Sequence, residues 1–311
     1  VIPWVPAPRR SWRREYDWVP DQRIRPDSTT GAAGVISACI VVRNEERTIA
    51  RCLDSLRGVV DECIVVHDGP CADRTIEIAA ERGCRVFEAP FYGHCERHTP
   101  RAYQEARGEW ILNLDADEFL SSSLADHLRQ LTEDTGVDGY ELLWKHWDGA
   151  RYVTDAGPYK LALFRRRAAR MIGIIHVPEE IDGVVRRVPL HLEHRPPAGH
   201  RGARAILRKF GRRAGLQARE YLSSLNGVPR FNYPGTVRWS RRREMSNRWA
   251  PLLIGPAALH TFYVVSRNLW RELGVGETIR FASTEAIYRA MVTATVAWYR
   301  YIRPDRLRRT D

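Results

Sequence analysis

Between residues 35 and 118, four short apolar runs alternate with segments of helical periodicity, and the first, second and fourth runs stop at clusters of polar residues. Few architectures accept such a chain, because parallel strands cannot be joined by tight hairpins and need crossover helices between them. The run 35–42 ends at Arg43-Asn44-Glu45-Glu46, after which Ile49, Cys52, Leu53 and Leu56 recur at helical spacing, with Asn44 as the N-cap. Residues 63–66 form a second run, halted by His67-Asp68-Gly69-Pro70, and residues 75–82 read as a helix closed by Gly83. A third strand spans 85–88, a helix 100–107 ends at Gly108, and a fourth strand, 110–114, leads straight into Asp115-Ala116-Asp117-Glu118. The fold class is therefore α/β, with a mixed, mainly parallel sheet carrying helices on both faces. Leu124, Leu128 and Leu131 mark one more helix, and residues 140–144, 161–164 and 184–192 read as a mixed continuation of the sheet.

Charge divides the chain. Residues 1–30, an irregular arm of Pro, Arg and Trp (Trp4, Trp12, Trp18), carry +2; residues 31–195 carry −6; residues 196–311 carry +15. The predicted organisation is an arm, an α/β domain over 31–195, and a basic helical region over 196–311 entered through a Pro/Gly-containing linker at 194–199. Two apolar stretches in that region, 250–265 and 282–302, are too short or too polar to span a bilayer, and an in-plane position is physically easier. The opening residues are broken by prolines and arginines, so no signal peptide is expected. Six cysteines without metal-ligand spacing read as reduced thiols, which with the missing leader predicts a cytoplasmic protein, peripheral on the inner face of the membrane if the basic region is a lipid contact.

Asp115 and Asp117 at the mouth of a buried strand are the main chemical clue. A like-charged pair needs a counter-ion, and Mn2+ or Mg2+ bridging the two carboxylates to a diphosphate supplies one. Acidic turns after strands are common, so the motif alone does not decide. Asp68 after the second strand and Asn44-Glu45 after the first strengthen it, because ligands of open α/β sheets sit beyond the carboxyl ends of the strands.

Taken together, ISACIVVRNEE, IVVHDGPCADRT, ARGEWILNLDADEFL and FRR…IHVPEE resemble the family 2 glycosyltransferases of GT-A fold over roughly residues 35–195. The branch that modifies lipopolysaccharide cores or lipid-linked glycans is the most similar. The resemblance implies that Arg43, Asn44, Glu45 and Asp68 hold the nucleoside of a nucleotide-diphosphate sugar. Asp115 would face the ribose or the metal, and Asp117 would ligate the metal. It also implies inversion at the anomeric carbon by a base-activated hydroxyl, with Glu179 or Glu180 as the base and Asp182 as the alternative. His176 reads as a third metal ligand or a structural histidine, and Arg101 as a phosphate contact or a solvated helix arginine. The turn at 67–73 is a residue longer than the family's, which leaves Asp73 as a helix cap.

The basic region, with Arg201, Arg204, Arg208, Lys209, Arg212 and Arg213 in one run and Arg241-Arg242-Arg243 in another, suits either an anionic membrane surface or a homodimer contact. The first would place the site beside a lipid-linked or membrane-associated glycan acceptor; a soluble small-molecule acceptor is the alternative. Nucleic-acid binding lacks a recognition motif, and a nucleotidyltransferase would need a glycine-rich phosphate loop where this chain has Arg43-Asn44-Glu45-Glu46-Arg47. A non-enzymatic scaffold fits poorly with an intact Asp-Ala-Asp.

Overall fold

The structure, a computed structural model, describes residues 32–147, 152, 159–175, 177–196, 203–222, 228–233 and 247–302. The expected arm, His176 and the Arg241 to Arg243 run lie outside them.

Strands β1 (Ala32–Val42), β2 (Glu62–Asp68), β3 (Arg85–Ala89) and β4 (Gly108–Leu114) pair in parallel in the order β3-β2-β1-β4. Helices α1 (Ile49–Leu56), α2 (Thr75–Glu81) and α3 (Thr99–Glu105) make the crossovers. The predicted alternation is thus observed, and the register aligns Val42 with His67, Asp68 with Ala89 and Ile40 with Leu114, so the polar strand ends share one edge. Beyond β4 the sheet continues through β5 (Glu118–Leu120), β6 (Gly139–His146), β7 (Tyr159–Arg165) and β10 (Val185–His194), in the order β4-β7-β6-β10-β5. The contacts of β7 with β4 and β6 and of β5 with β10 are antiparallel, whereas β6 and β10 are parallel. The result is the mixed, mainly parallel sheet expected.

Successive residues of β1 face opposite sides, as a strand requires. Ile36, Ala38, Ile40 and Val42 join the core under α1 and α4 (Ser122–Glu133) with Leu53, Leu56, Leu112, Leu124 and Leu128. Cys39 joins the opposite core with Ile64, Val66, Tyr103, Ile111 and Phe164 beneath α3. Each fully buried aliphatic side chain here contributes about 1.5–3 kcal/mol of hydrophobic stabilisation. All six cysteines are free thiols.

A smaller sheet joins β8 (Ala169–Ile172), β9 (Glu180–Ile181) and β11 (Arg230–Phe231), so the C-terminal region returns a strand to the body. Helix α5 (Ala203–Leu222) packs on α6 (Ala250–Tyr301) through Phe210, Ala214, Ala218, Tyr288, Val292 and Val296. The two apolar stretches read as separate in the sequence belong to this one helical span. Pro251 sits in its first turn, where no intrahelical N–H is needed. The span doubles back, because the Tyr301 hydroxyl donates to the Arg248 carbonyl and Ala250 shares an apolar cluster with Tyr299. Among the described residues no helix is long and apolar enough to cross a membrane.

Helix α5 is tied to the sheet domain by buried charge. His94, between β3 and α3, lies 3.0 Å from Glu220 and 3.4 Å from Glu96. Burial alone would lower the His94 pKa, but bonding to Glu220 and Glu96 outweighs it and raises the pKa to about 9. A histidine raised in the folded state stabilises fully below its unfolded pKa near 6.5 and loses that contribution as pH rises through about 9. Denaturant unfolding between pH 6 and 10 is therefore expected to show a stability loss on the order of a few kcal/mol, which Glu220→Gln flattens. Parallel pH curves for the two proteins would rule out this tie.

Candidate active site

The loops beyond β1 and β2 are stapled to each other by their backbones. Asn44 takes a left-handed conformation (φ 51°), its N–H donates to His67 Nε2 (3.1 Å), and its Oδ1 accepts from the Ala72 N–H (3.0 Å). His67 Nδ1 then donates to the Gly69 carbonyl (2.6 Å). Asn44 is therefore a turn residue, and the expected N-cap is instead Thr48, directly before α1. Glu45 belongs to the same turn: its carboxylate accepts from the Thr48 hydroxyl (3.0 Å) and its N–H donates to the Thr75 hydroxyl (2.6 Å). Asp73 accepts from the Thr75 N–H (2.9 Å) at the entry of α2, as a capping residue should.

Asp68 is fully buried, and its carboxylate accepts from the N–H groups of Tyr92 (2.7 Å) and Gly93 (2.9 Å) and from His98 Nε2 (3.0 Å). Burial opposes ionisation, yet these bonds hold the pKa below the usual carboxylate range. The Asp68 carboxylate thus clamps the loop after β3. Arg43 donates to the Asp68 carbonyl and stacks on the exposed ring of Phe91, 4.1 Å from its centroid. Gly69 (φ +80°) makes this approach feasible, since a Cβ there would sit 2.7 Å from Phe91 Cβ. Phe91 was missed in the sequence because nothing local distinguishes an exposed platform from a loop aromatic.

The Asp115 to Glu118 segment is a tight turn, with the Glu118 N–H donating to the Asp115 carbonyl (3.0 Å). The two aspartates find different partners. Asp115, with 63% of its side chain exposed, faces Lys160 Nζ at 3.5 Å. Asp117, 20% exposed, lies 3.3 Å from His194 Nε2 at the end of β10. Glu118 is fully buried beneath them, accepting from Lys160 Nζ (2.6 Å) and the Asp115 N–H (2.9 Å). Burial, opposed by the Lys160 charge and reinforced by Asp115, pushes the Glu118 pKa up to about 7. Burial would lower that of Lys160, but Asp115 and Glu118 more than offset it and raise it.

Glu179 Oε1 accepts from the Tyr103 hydroxyl and from Asn113 Nδ2 (3.0 Å). Its pKa is raised, chiefly by burial and further by Asp115, against the Tyr103 bond and the Lys160 charge. The other two acidic candidates lie elsewhere: Glu180 pairs with Arg170 in the small sheet, and Asp182 is exposed and bonded to Arg170 Nη2 (2.6 Å). Arg101 lies over Phe87 on β3, 5.2 Å from its centroid.

Among the described residues no group of three or more His, Cys, Asp or Glu side chains comes together as a metal cage. Asp117 and His194 nevertheless form a carboxylate–imidazole pair suited to a divalent ion that draws its remaining ligands from phosphate and water. His194 escaped the sequence reading because it opens the Pro-rich linker, and only the β10–β5 pairing brings it to Asp117.

Residues 37–175 match the family described as Glycosyl transferase family 2, which bears out the resemblance read from the sequence. An uncharacterized glycosyltransferase of Rickettsia felis is 37% identical over 107 residues, covering 34% of this chain and 36% of that protein. A TPR repeat-containing protein of Synechococcus elongatus is 34% identical over 140 residues, covering 44% of this chain and 33% of its own length. The matched stretch thus spans about a third of these relatives. Among solved structures, glucosyl-3-phosphoglycerate synthase from Mycobacterium tuberculosis in complex with Mg2+ and uridine diphosphate aligns with a TM-score of 0.43 at 16% identity, over 67% of this chain and 91% of that one.

The Lys160–Glu118 pair gives a stability test. Lys160→Met leaves a buried carboxylate unpaired and is expected to destabilise by about 3–5 kcal/mol, whereas adding Glu118→Leu should restore most of the loss. A double variant no more stable than the single one in urea unfolding would contradict this account of the turn.

Proposed function

We propose that this chain, with its glycosyl transferase family 2 segment, transfers a sugar from a nucleoside-diphosphate donor to a hydroxyl acceptor with inversion at the anomeric carbon. What carries the reading is the meeting of the Asp117–His194 pair (3.3 Å), the Asp115–Lys160 pair and the hydrogen-bonded Glu179 at the end of β4. The nucleobase end of the donor belongs beside Arg43 and Phe91, whose stacked pair offers an exposed face. Asp115 would accept from a ribose hydroxyl, a role its exposed carboxylate supports. Asp117 and His194 are the residues that would hold Mn2+ or Mg2+, which when bound supplies positive charge against the diphosphate leaving group.

Glu179 is the candidate base. Its carboxylate takes the proton of the acceptor hydroxyl as the new bond to the anomeric carbon forms and the bond from that carbon to the diphosphate oxygen breaks. Its raised pKa favours this role, because a base is most effective when its pKa approaches the working pH. Tyr103 and Asn113 fix the carboxylate so that one oxygen remains for the acceptor. The acceptor we assign is a lipid-linked or membrane-associated glycan, supported by the charge of +15 on residues 196–311 and by the exposed Leu252, Leu259 and Tyr263 of α6.

Thermal unfolding with a panel of nucleotide sugars, each with and without Mn2+, should give one selective, metal-dependent stabilisation. Asp117→Ala and His194→Ala should each abolish that shift and lower donor turnover by about 100-fold or more, while Glu179→Gln should lower turnover and keep the shift. No shift with any nucleotide, or near-normal turnover by Asp117→Ala, would overturn the assignment.

A further inference from the structure

Next to Asp117, on the α1 side of the sheet, lies an open cavity of about 300 Å3 lined by Arg47, Thr48, Arg51, Asp117, Phe119 and Arg195. Three guanidinium groups therefore border one small space with a single carboxylate, and that carboxylate already faces His194. Arg51 stacks on Phe119 with Cζ 4.0 Å from the ring centroid, and Arg195 Cζ lies 5.4 Å from the same centroid. Two like charges thus share one ring. Arg195 is fixed further by the Trp147 ring (4.6 Å) and by an Nε bond to the Tyr152 hydroxyl (2.6 Å), while its backbone N–H donates to the Asp117 carbonyl (2.9 Å). The Arg51 pKa is lowered, first by partial burial and then by the Arg195 charge, with Glu193 opposing.

Arg47 and Arg51 have no carboxylate within ion-pair distance among the described residues; Arg195 has Glu193 at 3.4 Å. Repelling cations held by aromatic stacking beside an open space match an anion with several oxygens, which guanidinium forks bind in bidentate fashion. A volume near the lower end of the ~300–1,000 Å3 range of small-molecule clefts suits a compact group.

We propose that this cavity binds a phosphate or diphosphate group. Two sources share that chemistry: the diphosphate of the donor, or a phosphate carried by the acceptor. Assignment to the donor rests on the glycosyl-transfer reading; the oxyanion site itself does not.

Calorimetric titration of the full chain with inorganic pyrophosphate in EDTA tests the site without metal. Saturable binding is expected, weakened about tenfold or more by Arg51→Ala and by Arg47→Glu. Far-ultraviolet circular dichroism should show both variants folded, and Arg47, being exposed, guards against a folding defect at Arg51. Competition by uridine diphosphate would assign the cavity to the donor; simultaneous binding would assign it to an acceptor-borne phosphate. Absent saturable binding, or unchanged affinity in both variants, overturns the proposal. Because pyrophosphate is read directly, a chain inactive with every nucleotide sugar but still binding it through these arginines would refute the transfer reading and leave the oxyanion site standing.

Discussion

The buried Lys160–Glu118 pair fixes the geometry on which the site depends. Removing two charges from water costs several kcal/mol per ion, and the loss is offset only where hydrogen bonds satisfy both. Glu118 Oε2 accepts from both Lys160 and the Asp115 N–H, which closes the turn after β4, while Oε1 is buried with no hydrogen-bond partner among the described residues. The same residue begins β5, whose pairing with β10 sets His194 opposite Glu118 in register and leaves its ring facing Asp117. One ion pair thus positions both aspartates and a histidine distant in sequence.

Much of this was legible in the chain. Strand–helix alternation over 35–114 is a local signal, and the sheet obeys it almost residue for residue. The edge bearing chemistry was readable too, since polar residues at the ends of three parallel runs must share one side. What local patterning could not supply was which polar atoms are consumed internally. Asp68 looks like a ligand by position, yet two backbone N–H groups and His98 occupy its carboxylate. Likewise, two aspartates two residues apart could share one side of an extended segment or converge in a turn; the segment is a turn, in which Asp115 faces Lys160 and Asp117 faces His194. Glu179 and Glu180 were indistinguishable as neighbours in sequence; β9 pairing places Glu180 in the small sheet, and Tyr103 and Asn113 engage Glu179.

The loops after β1 and β2 show the complementary strategy. Arg43 bonds Asp68, Asn44 bonds His67, and Glu45 and His67 bond Thr75 and Gly69, so the surface these loops present is shaped before any ligand arrives. Such pre-organisation removes ordering costs from binding. It also leaves Arg43 and Phe91, rather than the carboxylates, as the exposed face of that corner.

Tyr103, which donates to Glu179, is wedged edge-on between Phe164 of β7 and Phe231 of β11, with ring centroids 5.5 and 5.6 Å away. Phe231 comes from the C-terminal region, and Glu179, His194 and Phe231 all lie beyond residue 175, where the family match ends. The smallest piece of this polypeptide that keeps its chemistry intact is accordingly larger than its recognisable homology. A fragment trimmed to that homology would lose the Glu179 carboxylate, the aromatic wall that aims a phenol, and the sheet strand that carries the His194 imidazole.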